Sequence, residues 1–157
     1  SVCVKSIGFN YRMTKPQCAV GITQISKIDR IIMARQERMA YLNGLLADIP
    51  EIIRPSGHGP DHASHLYVVR LDTAKVKYTR DKFRSHLKDK YRVGTVIHYP
   101  PVWSWDAFVT LGYSGKGCPL AAKACEQVFS LPVFPRTKFE DIEYIAWAIK
   151  QTIADLL

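Results

Sequence analysis

The chain has 157 residues, 47% of them apolar, and a formal charge of +8. That size suits one ordinary domain with its own hydrophobic core, and no stretch reaches the roughly 18 apolar residues needed to cross a membrane. The opening Ser1-Val2-Cys3-Val4-Lys5-Ser6 lacks the apolar run of a signal peptide.

In chain order, residues 1–13 read as irregular. Thr14 offers a helix N-cap, with Pro16 in the first turn and Gln17 at capping-box spacing. Val20, Ile22, Ile25, Ile28, Ile32, Leu42, Leu45 and Leu46 then follow a helical period to about Asp48. Such a length predicts a bend near Ser26–Asp29, and a helix that bridges two domains. The Gly/Pro-rich stretch 54–63 reads as a loop. A strand is expected over 65–71, then a helix capped by Thr79 with Phe83 and Leu87 on its inner face. A second strand is expected over 93–99, an aromatic and glycine-rich loop with a short helix over 103–118, and a helix from Pro119 to Phe129. Residues 131–135 read as extended. Thr137 and Glu140 have capping-box spacing before a last helix that buries Ile142, Ile145, Ala146, Ile149 and Ile153. The expected class is α+β: a small, short-stranded sheet with helices packed on one face.

The positive charge fits a phosphate-bearing partner or a merely basic, solvated surface. The basic residues are scattered rather than gathered into a block that would track a nucleic-acid backbone, so no nucleic-acid partner is expected. Cys3, Cys18, Cys118 and Cys125 form no Cys-x-x-Cys pair, which argues against a zinc ribbon and for reduced thiols in the cytoplasm. A thiolate at Cys118 or Cys125 would need a basic neighbour such as Lys123, and a plain buried thiol is the simpler reading. His58, His62 and His65 have ligand-like spacing, but Gly57, Gly59 and Pro60 deny them a helix, so no metal site is expected.

Gly8-Phe9-Asn10-Tyr11-Arg12-Met13-Thr14 places an amide, a phenol and a guanidinium directly before a helix start. Helix N-termini attract anions, and an arginine fork suits phosphate or carboxylate; a capping loop that only satisfies backbone is the alternative. His98-Tyr99-Pro100-Pro101 stands at a predicted strand end, where His98 could exchange a proton or be a half-buried ring fixed by the Pro-Pro turn. Trp103, Trp105, Phe108 and Tyr113 could stack on a sugar or base, or fill the core.

These motifs resemble the DegT/DnrJ/EryC1/StrS aminotransferases. The first carries Gln17, Ala19, Gly21 and Gln24 behind it. Four more stretches follow in the family's order: 65–70, 93–101, Leu111-Gly112-Tyr113 and Ser130-Leu131-Pro132-Val133-Phe134-Pro135. The resemblance covers nearly the whole chain. It implies the small C-terminal domain of a fold-type-I pyridoxal-phosphate enzyme, preceded by a bridging helix. Residues 1–30 would be a remnant of the large domain and the start of that helix, and 31–157 the small domain.

The resemblance also implies transfer of an amino group from glutamate to a nucleotide-diphosphate-linked keto sugar, by a homodimer with shared active sites. Pyridoxal 5'-phosphate is the implied cofactor, and Asn10 and Arg12 align with residues that reach it. Tyr11, His98 and Tyr99 align with positions facing the substrate. The Schiff-base lysine lies upstream in the family, so none of the catalytic residues falls in this chain, which reads as a cut chain expected to be inactive alone. A sugar dehydratase of the same family, or an inactive accessory domain that binds a partner or a nucleotide sugar, are the alternative readings. Two positions depart from the family pattern: Lys15 and Pro16 follow Thr14 where an acid is common, and Ser64 stands where an aromatic often does.

Overall fold

A computed structural model describes residues 8, 9, 11–56, 59 and 61–157. Two helices open it, α1 (Lys15–Ile25) and α2 (Ile28–Leu45). The break falls within the expected window. The Ser26 hydroxyl donates to the Thr23 carbonyl oxygen (3.0 Å), and the Lys27 amide turns back to Gln24 (3.0 Å). A local hydroxyl bond of this kind competes with the helical ladder. At the other end of α1, Gln17 Oε1 accepts from the Thr14 amide (2.8 Å), the reciprocal half of the expected capping box.

The sheet has three antiparallel strands in the order β1 (Ile52–Ile53), β2 (Tyr67–Leu71), β3 (Val128–Leu131). In β2, Tyr67, Val69 and Leu71 are buried while Val68 and Arg70 are partly exposed, the alternation of a strand with one face covered. Three helices complete the frame: α3 (Arg80–Tyr91), α5 (Pro119–Gln127) and α6 (Phe139–Leu156), with a four-residue α4 (Asp106–Val109) in the aromatic loop. The Thr79 hydroxyl caps α3 by accepting from the Lys82 amide (3.2 Å). Arg80 donates to the Val128 carbonyl oxygen (3.3 Å) and to that of Cys125, closing the C-terminal end of α5.

The core is built on α6. Ile142, Ile145, Ala146, Ala148, Ile149 and Ile153 are buried against residues of α2, α3 and the sheet, including Met39, Leu42, Phe83, Leu87, Tyr67 and Phe129. The stripe read from the sequence is thus the core face.

Three local expectations fail and one element was missed. The segment 93–99 forms no strand: it makes one isolated bridge, Val96 to Ser130. Its neighbour Thr95 is occupied by Arg84, whose guanidinium donates to the Thr95 carbonyl (2.9 Å) and hydroxyl (2.8 Å), so a side chain takes ladder positions. The helix expected to reach Phe129 stops at Gln127, because Val128–Leu131 pairs with β2 and tertiary pairing outweighs local propensity. Thr137 does not cap α6; its hydroxyl accepts from the Phe134 amide (2.8 Å) and closes a turn, leaving Lys138 as the N-cap. The two-residue strand β1 went unforeseen, being too short to show a period.

At the α3–α6 contact, the Asp155 carboxylate accepts from Lys90 (2.8 Å) and from the Tyr91 hydroxyl (2.6 Å), and lies 2.9 Å from His86 Nε2. Lys90, then Tyr91 and His86, hold its carboxyl well below the usual carboxylate range.

Two outcomes are expected. Ile149→Ala should lower stability by about 2–5 kcal/mol in denaturant unfolding. Ile22→Ala on the exposed side of α1 should stay within about 0.5 kcal/mol, and an equal loss would contradict this core. A carboxyl depressed in the folded state adds stability above the ordinary carboxylate range and loses it as pH falls. The stability gap between the wild type and Asp155→Asn should therefore be fully open near neutral pH and narrow below about pH 4, as read from acid titrations of unfolding. A constant gap across that range would contradict the cluster's role.

Candidate functional site

Two separate places carry the residues singled out from the sequence. The first is the approach to α1. Asn10 lies outside the described residues, as does His58. Tyr11 and Arg12 are exposed, and Tyr11 has a left-handed backbone (φ 50°) with its ring edge-on to Phe9 at 5.7 Å. The first turn of α1 contains no acid, and Lys15 opens it. This end of the helix therefore presents Arg12, Lys15 and the positive end of the helix dipole together.

That donor set has the chemistry a phosphate needs: a planar guanidinium, an ammonium and a helix terminus, with no carboxylate in the first turn to compete. The lysine at position 15, a departure from the family pattern, adds to the positive field. The helix behind it is open and carries several exposed apolar side chains. Phe9, Met13, Val20, Ile22 and Ile25 are all more than 60% exposed, and α1 has no buried residue. Large apolar side chains exposed on more than one side of a helix call for covering partners.

The second place is the edge of β3. Ser130 pairs its backbone with Val96 in both directions (2.7 and 3.2 Å). Two residues beyond Val96, His98 is half-buried, and its Nδ1 lies 2.9 Å from the Ser130 hydroxyl. Arg84 fixes Thr95 on the same short segment. His98 faces a pocket of about 210 Å³ that Arg35, His65, Val96, Ser130 and Phe134 also line. Arg35 is steadied by donating to the His65 carbonyl oxygen (2.8 Å). Tyr99 packs edge-on against His98 at 5.5 Å and is otherwise exposed.

Among the described residues, no hydrogen bond or ring contact joins Tyr11 or Arg12 to His98 or Tyr99. The remaining candidates sort plainly. No group of His, Cys, Asp and Glu able to hold a metal ion occurs among the described residues. Cys18 and Cys118 are exposed and Cys125 is half-buried, all as free thiols, so the buried-thiol reading of Cys118 fails. Trp105 and Tyr113 are exposed and Trp103 and Phe108 half-buried, so the aromatic loop is not core. It is instead a chain of edge contacts, Trp105 to Phe108 (6.3 Å) and Phe108 to Tyr113 (5.9 Å). Gly115 is required there, since a Cβ would meet the Trp103 ring at 2.7 Å. Ser130, Arg84 and Arg35 were not read as site residues from the sequence. The one available signal was Ser130 at the head of Ser-Leu-Pro-Val-Phe-Pro, obscured by running the preceding helix too far.

No described helix is long and apolar enough to cross a membrane. The geometry can be set beside known proteins. The chain is 30% identical over 152 residues to the spore coat polysaccharide biosynthesis protein SpsC of Bacillus subtilis (strain 168), covering 96% of this chain and 39% of that protein. It superposes on DesV of S. venezuelae, solved in complex with a ketimine intermediate, with TM-score 0.79 and 29% identity over 94% of this chain and 38% of that one. NtdA from Bacillus subtilis, solved with bound cofactor PMP, shares the fold with TM-score 0.81 at 23% identity, over 96% of this chain and 35% of that one. The chain thus spans well under half the length of these relatives, as a C-terminal domain would. The model of the DegT/DnrJ/EryC1/StrS aminotransferase family matches residues 1–150, and the chain belongs to that family.

Proposed function

We propose that this chain is the C-terminal portion of a pyridoxal-phosphate-dependent enzyme that transfers an amino group from glutamate to a nucleotide-linked keto sugar. The observation that carries the cofactor half of this reading is the cation-rich, acid-free start of α1, with Arg12 and Lys15 exposed ahead of a helix that buries none of its residues. When bound, pyridoxal phosphate supplies an electron sink for a carbanion next to the reacting carbon. Asn10 and Arg12 would hold its phosphate. Tyr11, His98 and Tyr99 would face the sugar nucleotide, with the half-buried His98 set against the β3 edge.

The same reading makes the enzyme a homodimer with shared sites, and the exposure of that loop supports it. Residues 1–30 belong with the large domain in this reading, and 31–157 form the small one. Its support is the burial pattern: nothing in α1 is buried, and Met39 is the first buried side chain of α2. The enzyme is placed in the cytoplasm, in keeping with the free thiols among the described residues.

The test is cofactor retention in the full-length dimer. Asn10→Ala should weaken it by about 1–3 kcal/mol, the cost of leaving a charged group one hydrogen bond short. Equilibrium dialysis or visible absorbance reads the change, and an unaltered dissociation constant would remove Asn10 from the phosphate site. The 157-residue chain alone, given pyridoxal phosphate and glutamate, should show no turnover; measurable turnover would overturn the division of labour proposed here.

A further inference from the structure

We infer that Ser130 is a positioning residue for His98, fixing the imidazole in the tautomer that presents an Nε2–H donor to the adjoining pocket. The inference rests on the reading of His98 as a substrate-facing group and deepens it by assigning its proton.

Ser130 is 4% exposed, on β3, and both of its backbone groups bond to Val96. Its hydroxyl has one partner among the described residues, His98 Nδ1 at 2.9 Å. A hydroxyl carries one proton and two lone pairs, and a buried O–H that donates to nothing is costly. The proton of Ser130 therefore goes to Nδ1, which must be the ring's acceptor. In a neutral imidazole the other nitrogen then carries the hydrogen.

The pocket agrees with this polarity. Its lining has no carboxylate; beside apolar walls such as Leu66, Val96 and Phe134 it holds the Arg35 guanidinium and the imidazoles of His98 and His65. Arg35 is a donor there, His98 becomes one, and the His65 imidazole completes the polar part of the lining. About 210 Å³ with the Arg35 guanidinium and an Nε2–H at His98 suits a small group bearing acceptor oxygens, such as a carbonyl, a carboxylate or a phosphate. Ser130 also fixes where the ring stands, because the same residue holds the imidazole and the backbone two residues before it. Backbone and side chain of one β3 residue act on one histidine.

The experiment is long-range proton–nitrogen NMR on the 15N-labelled chain at about pH 9, above the ordinary imidazole range. His98 should appear as a single Nε2–H tautomer. Ser130→Ala should relax it toward a mixture, and Ser130→Thr, which keeps the hydroxyl, should restore the single form. An Nδ1–H tautomer in the wild type would overturn the inference. So would an unchanged tautomer in a folded Ser130→Ala, folding being judged from its backbone spectrum. Should Ser130→Ala fail to fold, the wild-type spectrum and Ser130→Thr still decide.

Failure of the underlying reading looks different. His98→Ala in the full-length enzyme would then leave the KM for the acceptor substrate unmoved, while the tautomer result stood. If both hold, Ser130→Ala raises that KM and Ser130→Thr recovers it.

Discussion

The burial of one face of α6 against α2, α3 and the sheet holds the rest of this structure in place. Ile142, Ile145 and Ile149 supply a continuous apolar stripe, and fully burying each such side chain is worth about 1.5–3 kcal/mol against leaving it in water. Polar contacts at the rim then fix orientation rather than supply the bulk of the stability. Arg38 Nε donates to the Thr137 carbonyl oxygen (2.8 Å), and the Tyr144 hydroxyl donates to that of Tyr91 (3.0 Å). The Asp155 cluster ties α3 to the end of α6. With this frame fixed, β3 has a defined place, and with β3 fixed, so has His98.

The same frame leaves α1 outside. A helix that buries none of its own residues yet exposes Val20, Ile22 and Ile25 has too little packing here to owe its form to this domain alone. What the segment does have is a bond from the Thr14 amide to Gln17, a cationic approach in Arg12 and Lys15, and exposed apolar side chains. Such a helix offers surface to a partner of the kind proposed above. The hydrogen bonds that hold His98 at the β3 edge come from within the described residues, while the loop before α1 stands exposed.

Much of this was legible from residues. The period of Ile142, Ile145, Ala146, Ile149 and Ile153 announced the core face, and Thr79 announced the start of α3. Ser26 lay in the expected break, where a hydroxyl can bond its own helix backbone. The misses share a cause. Whether 93–99 ladders as a strand depends on Arg84, far from it in the fold's logic and silent in any local pattern. Whether Val128 is helix or strand depends on β2, more than fifty residues upstream. Thr137 carries capping-box spacing yet serves a turn, because the Phe134 amide reaches its hydroxyl first. The family resemblance singled out His98, but the hydroxyl that holds it emerged only when two distant segments were laid side by side.

In the proposed function, the polar loop before α1 completes a cofactor site on an adjoining protomer. Subunit complementation tests it most directly. Full-length Arg12→Ala subunits would be mixed and re-paired with subunits whose upstream cofactor lysine has been replaced, each parent dimer being impaired. The account predicts that mixed dimers regain activity, since one of their two sites receives an intact lysine from one subunit and an intact Arg12 from the other. Mixed dimers no more active than either parent would contradict it.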